Sequence, residues 1–570
     1  MRVKITGLFL VFLFGVLFFG LFRLQILSGK KLREMSLKNC IRLLPQPGAR
    51  GRILDRSDQV LVDNHLTYDV MVSSQDRPQL DQALEAIAKI LNINRNELKN
   101  KYYNNYTASF LPVTVARNIE MKKTIALEEL KMDIPNIIIQ PNPVRGYPHG
   151  RLAAHVIGYL NEIDRWRLTK LSDYGYGPKD IVGYTGVEEK YDYYLRQQEG
   201  ALSVEVDSRG RFVRVLGFKP PRKGKDIQLT LDLKIQQIVE AALGERKGAA
   251  VIMDPNNGEI FALASSPSYD PEVFIRRNVP QMSRMFNDPD APLMDRAISS
   301  AYPAASVFKL VVATGALESK KINLGTTFNC SGGMNVGRRR FKCWSTHHEE
   351  DLIDAIAHSC DVFFYHAGLA LGAQGIHDYA VKFGFSKLTG IDLPYETAGF
   401  VPDPLWKKLS RFENWYDGDT ANFSIGQGDL LVTPIQVARM TAVFANRGYL
   451  VTPYLIKGID GQQVDSYKRK LVRINIKENL LAAVREGMRR VIIDPQGTAS
   501  IFSGVGVSVA GKTGTAQVTG KPSHGWFSGF FPYEKPKFVI CVFLENGGSG
   551  YNATSVVKQI VEEMVKEELI

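Results

Sequence analysis

From Ile5 to Phe22 the chain is apolar except for Thr6 and three glycines, with Arg2 and Lys4 ahead of the run. About fourteen strongly apolar residues in such a run favour membrane insertion by roughly 4–8 kcal/mol, so it predicts a spanning helix. The run gives way to Arg23-Leu24-Gln25-Ile26 rather than to a small-x-small cleavage site, which predicts a retained anchor instead of a removed signal peptide. The expected layout is a short cytoplasmic tail over 1–4, an anchor over 5–23 and a large body outside the cytoplasmic (inner) membrane. Arg23, Lys30, Lys31, Arg33 and Lys38 flank the far end as well. Long domains translocate largely regardless of such charges, so the body is still expected on the periplasmic, extracytoplasmic side.

Beyond the anchor the periodicity is mixed. Gly51–Arg56, Val60–Val62 and Thr67–Val72 read as strand pieces, and Leu80–Leu91 carries apolar residues at helical spacing. Arg145-Gly146-Tyr147-Pro148 and Gly183-Tyr184-Thr185-Gly186-Val187-Glu188 are further landmarks, without a nucleophile and base among them. Residues 24–225 are therefore expected to be a mixed α/β scaffold module. The texture changes after Pro220-Pro221-Arg222-Lys223-Gly224-Lys225. Asp226–Leu231 predicts a strand and Leu233–Leu243 a helix. Gly248–Asp254 and Ile260–Ala264 flank Pro255-Asn256-Asn257-Gly258, a strong hairpin signal. Gly525–Phe531 and Phe538–Leu544 predict a second strand pair, and Thr554–Leu569 a closing helix. The expected fold class is α+β. Residues 226–570 would form an antiparallel sheet flanked by helices and built from both ends of the segment, with a helical insert between.

Charge and cysteines refine this only in part. A net charge of +12 over 570 residues suits an anionic membrane surface or substrate as well as a generally solvated basic surface. No nucleic-acid motif accompanies it, and Arg338-Arg339-Arg340 reads as a solvated run. Five cysteines do not make a disulfide scaffold. Three of them, Cys330, Cys343 and Cys360, fall near His347, and three thiolates with an imidazole are a complete donor set for zinc. The spacing is not that of a zinc finger. A Cys330–Cys343 disulfide or simple buried thiols remain competing readings.

The candidate chemistry centres on Ser306-Val307-Phe308-Lys309, inside an apolar stretch that Pro303 introduces as a turn into a helix. Serine and lysine one turn apart share a face, and a buried neutral amine can take the hydroxyl proton. Ser28/Lys31 and Ser555/Lys558 repeat the spacing, so the pattern alone decides little. Downstream lie Ser359-Cys360-Asp361 and the chain's single Lys-Thr-Gly, Lys512-Thr513-Gly514-Thr515. Together the three segments supply a nucleophile, a base, a proton relay, oxyanion donors and a cation for a carboxylate. His358 and His524 lie near them, with packing the simpler role for each.

In that order and spacing the chain resembles the penicillin-recognising acyl-serine transferases over essentially its whole length. It looks like a class B penicillin-binding protein, because no separate glycosyltransferase-like domain precedes the transpeptidase segment. Ser359-Cys360-Asp361-Val362-Phe363-Phe364-Tyr365 resembles the elongation branch, penicillin-binding protein 2. Arg50-Gly51-Arg52-Ile53-Leu54-Asp55-Arg56 and Gly426-Gln427-Gly428 through Thr433-Pro434 fit the same family. The resemblance implies a peptidoglycan D,D-transpeptidase acylated by β-lactams. In it Ser306 attacks the D-Ala–D-Ala carbonyl, Lys309 accepts its proton and Ser359 passes a proton to the leaving D-alanine. Asp361 would orient that helix edge and the substrate amide. Lys512, Thr513 and Thr515 would hold the terminal carboxylate, with Gly514 between them. The N–H groups of Ser306 and Thr515 would form the oxyanion hole. No cofactor is required for the chemistry. The implied partners are stem peptides, β-lactams, a RodA-type glycosyltransferase and other elongation-complex proteins, and no nucleic acid. Some relatives carry a metal near this serine with aspartate, histidine and cysteine ligands, and His347, thirteen residues before Cys360, matches that layout where His348 does not. Ala305 departs from the family, which usually has glycine there. The rivals are a β-lactam sensor, a β-lactam hydrolase and a scaffold with a dead site.

Overall fold

The computed structural model describes residues 2–73, 77–106, 112–206, 212–464, 471–502 and 504–570. Met1 of the expected tail lies outside them. The N-terminal apolar run is an α-helix, Arg2–Phe22, that continues as a π turn over Arg23–Leu27. Lys4–Leu27 is a candidate membrane span of 24 residues, none of it buried by the rest of the chain. At 1.5 Å per residue that is about 36 Å, enough for a hydrocarbon core of about 30 Å.

The remainder divides into two compact units that are not contiguous in sequence. The first comprises Met1–Gly51, Asp63–Gly146 and Arg196–Lys225. Its core gathers Val70, Val72, Leu84, Ile87, Leu98, Val115 and Ile137. The helix Arg77–Leu91 contributes Leu80, Ala83, Leu84, Ile87 and Leu91, the spacing that puts one stripe inward. Val60–Val72 is one strand where two pieces were expected. The polar stretch Asp63-Asn64-His65 does not interrupt it, because its backbone stays paired with Val144-Arg145-Gly146.

The second unit comprises Arg52–Val62, Tyr147–Leu195 and Asp226–Ile570. Two pieces of the 24–225 region thus cluster with the C-terminal segment, for visible reasons. Ile53 pairs in parallel with Ile227, and the Arg52 guanidinium donates to Asp226 Oδ2 at 2.9 and 3.0 Å. Tyr159 stacks on Phe274 with ring centroids 3.7 Å apart.

At the heart of this unit is a five-stranded antiparallel sheet: β1 Gly248–Met253, β2 Ile260–Ser266, β3 Ala510–Val518, β4 Lys521–Phe531 and β5 Phe538–Leu544. The order is β2-β1-β5-β4-β3, so both ends of the segment meet in one sheet, as the strand pairs predicted. Every residue of β1, β2 and β5 is buried, which requires cover on both faces. Leu233–Leu243 and Gly550–Lys566 pack together against the sheet, and the wholly buried helix Pro434–Ala445 packs on β1, β4 and β5. The closing helix begins four residues earlier than expected, at Gly550. β3 is an edge strand, and beside it lies the segment that carries Ser306.

Candidate active site

Ser306 lies in a 3₁₀ turn, Ala305–Phe308, that runs into the α-helix Lys309–Glu318. The turn is held from both sides. The Ala305 N–H donates to Gly426 O at 2.8 Å, and Trp526 Nε1 donates to Pro303 O at 2.9 Å. Ala305 has φ +53°, the left-handed region glycine enters freely, so the alanine keeps the backbone shape that the family's usual residue would give. A Cβ on Gly426 would lie 2.1 Å from Ala305 O, so only glycine allows this approach. Ser306 is half-buried, and its hydroxyl makes no hydrogen bond among the described residues.

Lys309 is fully buried one turn on. Its Nζ donates to Asp361 Oδ1 at 2.6 Å, to Ser359 O at 2.9 Å and to Ser359 Oγ at 3.2 Å. Asp361 was expected to serve the helix edge and the substrate; here it also holds the lysine. A buried amine needs a charged or hydrogen-bonding partner, and Asp361 in the first turn of Asp361–Leu371 supplies it where the helix dipole favours a carboxylate. Ser359 is itself in the left-handed region, φ +56°.

Lys512 on β3 is also fully buried, with its Nζ directed at Thr513 O at 3.4 Å. Burial first, then the neighbouring Lys309, pushes its pKa well below 10.5, with Asp361 acting in the opposite sense. Among the described residues no carboxylate is paired with Lys512, so an ammonium there favours an arriving anion. Thr513 turns its hydroxyl to Thr498 Oγ1 at 2.7 Å, whereas Thr515 is exposed. The Thr515 hydroxyl accepts the Gly550 N–H at 3.0 Å, which leaves its proton to donate. A Cβ on Gly514 would come within 3.3 Å of Ala305 Cβ and 3.4 Å of Ser306 N, so this glycine lets β3 lie against the nucleophile turn. The Ser306 amide sits in the first turn of its helix, where N–H groups lack intrahelical partners. Gln427 Nε2 adds a bond to Thr515 O at 3.4 Å.

The two other Ser-x-x-Lys pairs take no part. Ser555 faces solvent and Lys558 pairs with Glu562, while Ser28 ends the N-terminal apolar helix. His358 Nδ1 is 2.9 Å from Glu350 Oε1, and His524 Nδ1 accepts the Asn546 N–H at 2.8 Å, so each serves its surroundings. Sequence reasoning passed over Thr498 and Trp344; the indole of Trp344 bonds the backbone at Ser359, and a tryptophan set among metal-type ligands was the available signal.

Cys330, Cys343, His347 and Cys360 come together with all four donor atoms within 4.8 Å of one another. All five cysteines are free thiols. His347 Nδ1 is 3.6 Å from Cys330 Sγ and 3.5 Å from Cys343 Sγ, and the Asp361 N–H donates to Cys343 Sγ at 3.3 Å. The Cys360 thiol directed at Cys343 holds the Cys343 pKa well below the usual thiol range, and His347 and the Asp361 N–H act in the same sense. Tetrahedral zinc with Zn–S near 2.3 Å needs ligand atoms roughly 3.8 Å apart, so the four residues fit a closed four-coordinate ion after a small contraction.

The chain matches two family models. The penicillin-binding protein transpeptidase domain covers residues 248–566, and the penicillin-binding protein dimerisation domain covers 45–229. It is 31% identical to the Haemophilus influenzae peptidoglycan D,D-transpeptidase MrdA, over 100% of this chain and 92% of the relative. With the Acinetobacter baumannii protein of the same name it shares 33% identity, over 95% and 84%. The structure is similar to PBP2 from Helicobacter pylori solved in complex with MreC, with TM-score 0.81 at 29% identity, covering 93% of this chain and 99% of that one. A chain from a peptidoglycan synthase complex that coordinates polymerization and crosslinking matches with TM-score 0.75 at 28% identity, over 98% and 97%.

Proposed function

This chain belongs to the penicillin-binding protein transpeptidases, and from that membership we propose how its residues divide the work. It is a serine-type peptidoglycan D,D-transpeptidase that crosslinks stem peptides and is acylated by β-lactams. The observation that carries the assignment is Lys309, whose buried Nζ gathers Ser359 and Asp361 one turn from Ser306.

Ser306 Oγ attacks the carbonyl carbon of the D-Ala–D-Ala bond as Lys309 takes its proton. The amide N–H groups of Ser306 and Thr515 receive the charge that develops on oxygen, each such donor being worth about 2.7–4 kcal/mol in the transition state. The C–N bond then breaks, and the proton moves from Lys309 through Ser359 Oγ to the departing D-alanine nitrogen. The amine of a neighbouring stem peptide attacks the resulting ester, the new amide C–N bond replaces the ester C–O bond, and the amine's proton passes through Lys309 to Ser306 Oγ as it leaves. Lys512 and the free proton of Thr515 hold the substrate's terminal carboxylate. Asp361 holds Lys309, Gly514 keeps the two backbones close, and Thr513 anchors β3 to Thr498.

Zinc held by Cys330, Cys343, His347 and Cys360 would supply structural bracing. The residues it would brace are those that present Ser359 and Asp361. The proposed placement is a single-pass anchor over 5–23 with the catalytic unit outside the cytoplasmic membrane, and a scaffold role for the 24–225 region. Proposed partners are an MreC-like protein, as solved with the Helicobacter PBP2, and a RodA-type glycosyltransferase. Mapping a labelled penicillin onto Ser306 tests the assignment.

A further inference from the structure

Trp344 is unusual among the tryptophans near this site. Its side chain is 61% exposed, yet the one polar atom of the indole is fully engaged. Nε1 donates to His358 O at 3.0 Å and to Ser359 O at 3.3 Å. The same Ser359 carbonyl accepts Lys309 Nζ at 2.9 Å, so one oxygen takes a donor from the rim and another from the buried base. Ser359 is held at φ +56° although it has a Cβ, and its own amide bond to Ile356 O is long, 3.3 Å. A non-glycine residue stays in that region only when its surroundings over-determine it. The surroundings here are these two donors together with the end of the helix Leu352–Ala357, where the Cys360 N–H donates to Ala355 O at 3.0 Å and closes a left-handed cap around Ser359. The Trp344 ring is fixed in turn: it comes directly after Cys343, and it meets His347 edge to face with centroids 5.1 Å apart.

We propose that Trp344 is a positioning residue for acylation, its indole N–H pinning the left-handed Ser359 turn so that Ser359 Oγ stays within reach of Lys309. This rests on Ser306 as the nucleophile and Lys309 as its base. Without the N–H the Ser359 carbonyl loses its donor on the rim side, the capped turn shifts on its remaining bonds, and Ser359 Oγ moves off the path of the proton. The loss falls on the chemical step. Initial binding of the ligand depends on Lys512 and Thr515 and is left alone.

The test uses the full chain in detergent, with wild type, Trp344→Phe and Trp344→Leu compared. The rate of acylation by a chromogenic β-lactam across concentrations separates the dissociation constant of the first complex from the acylation rate constant. Both variants lack the donor, so both are expected to lose about tenfold in the rate constant, the value of one ordinary hydrogen bond. The dissociation constant stays within about twofold by the same reasoning, and melting stays near wild type for an exposed ring; if Trp344→Leu unfolds, Trp344→Phe carries the comparison. A rate constant within about twofold of wild type overturns the proposal. So does Trp344→Phe matching wild type while Trp344→Leu falls, which would assign the effect to the ring, and so does a loss confined to the dissociation constant. If wild type itself takes no adduct on Ser306, the nucleophile assignment fails instead, and the two failures are distinct.

Discussion

Lys309 Nζ lies 2.6 Å from Asp361 Oδ1, while Ser306, one turn before it, has a hydroxyl with no hydrogen bond among the described residues. The base is therefore pre-positioned by the second motif and not by the nucleophile it serves. Lys309→Arg keeps a contact with Asp361 but stays protonated and cannot accept the Ser306 proton. Acylation by a β-lactam is expected to fall about 10²–10⁴-fold in Lys309→Arg, with the melting temperature little changed. Substitution of Asp361 separates pairing from chemistry. Asp361→Leu leaves the buried Lys309 Nζ without its carboxylate acceptor and is expected to cost about 1–3 kcal/mol in denaturant unfolding, whereas Asp361→Asn, which keeps an acceptor, costs less. Equal costs for the two would contradict the pairing.

Lys512 gives a pH dependence of defined sign. Burial and Lys309 hold its folded pKa well below 10.5, so between the two values the unfolded chain binds a proton that the folded chain does not. Its contribution to stability therefore rises with pH across that interval and levels off above 10.5, and Lys512→Met removes that slope. A carboxylate arriving at the site restores the proton. Binding of a carboxylate-bearing β-lactam to Ser306→Ala is expected to take up as much as about one proton, read by calorimetry in buffers of different ionisation heat. Binding without uptake would leave Lys512 already charged.

The nucleophile turn depends on two backbone positions with opposite tolerances. Ala305→Gly removes left-handed strain of about 1–2 kcal/mol while adding unfolded-state freedom of about 0.4–1 kcal/mol. Stability is thus expected to change by about 1 kcal/mol or less by the same terms, with acylation kept. Gly426→Ala instead drives a Cβ to 2.1 Å from Ala305 O. A displacement of that size at the nucleophile is expected to slow acylation about a hundredfold while the chain stays folded, as circular dichroism would show. Full activity in Gly426→Ala would mean that the turn is softer than its packing implies.

Metal content tests the cysteine cluster without reference to activity. Protein purified without chelator is expected to hold one zinc per chain by elemental analysis. Removing it with a strong chelator should lower the melting temperature by roughly 5–10 °C. Cys343→Ser should abolish the metal and melt like the stripped protein. A metal-free wild type whose melting is indifferent to chelator excludes the site.

Much of this architecture was legible because it rests on periodicity and order. Leu233–Leu243 occupies the residues expected of it, and β4 and β5 contain the second expected strand pair, since their apolar runs are long and bounded by turn residues. The three motifs were visible because their chemistry is rare in combination. Long-range matters were not legible. Nothing local says that Arg52 pairs with Asp226 174 residues away, or that 147–195 clusters with the catalytic segment. The partner of Lys309 likewise depends on a fold that brings Asp361 52 positions back to it. Ala305 looked like a departure until its φ showed the glycine conformation retained.

The most direct measurement is covalent. The full chain is treated with a labelled penicillin, digested and mapped by mass spectrometry, for wild type and Ser306→Ala. The account predicts one adduct, on the peptide containing Ser306, absent from Ser306→Ala while that variant remains folded. An adduct that persists in Ser306→Ala, or a folded wild type that takes none, would contradict it.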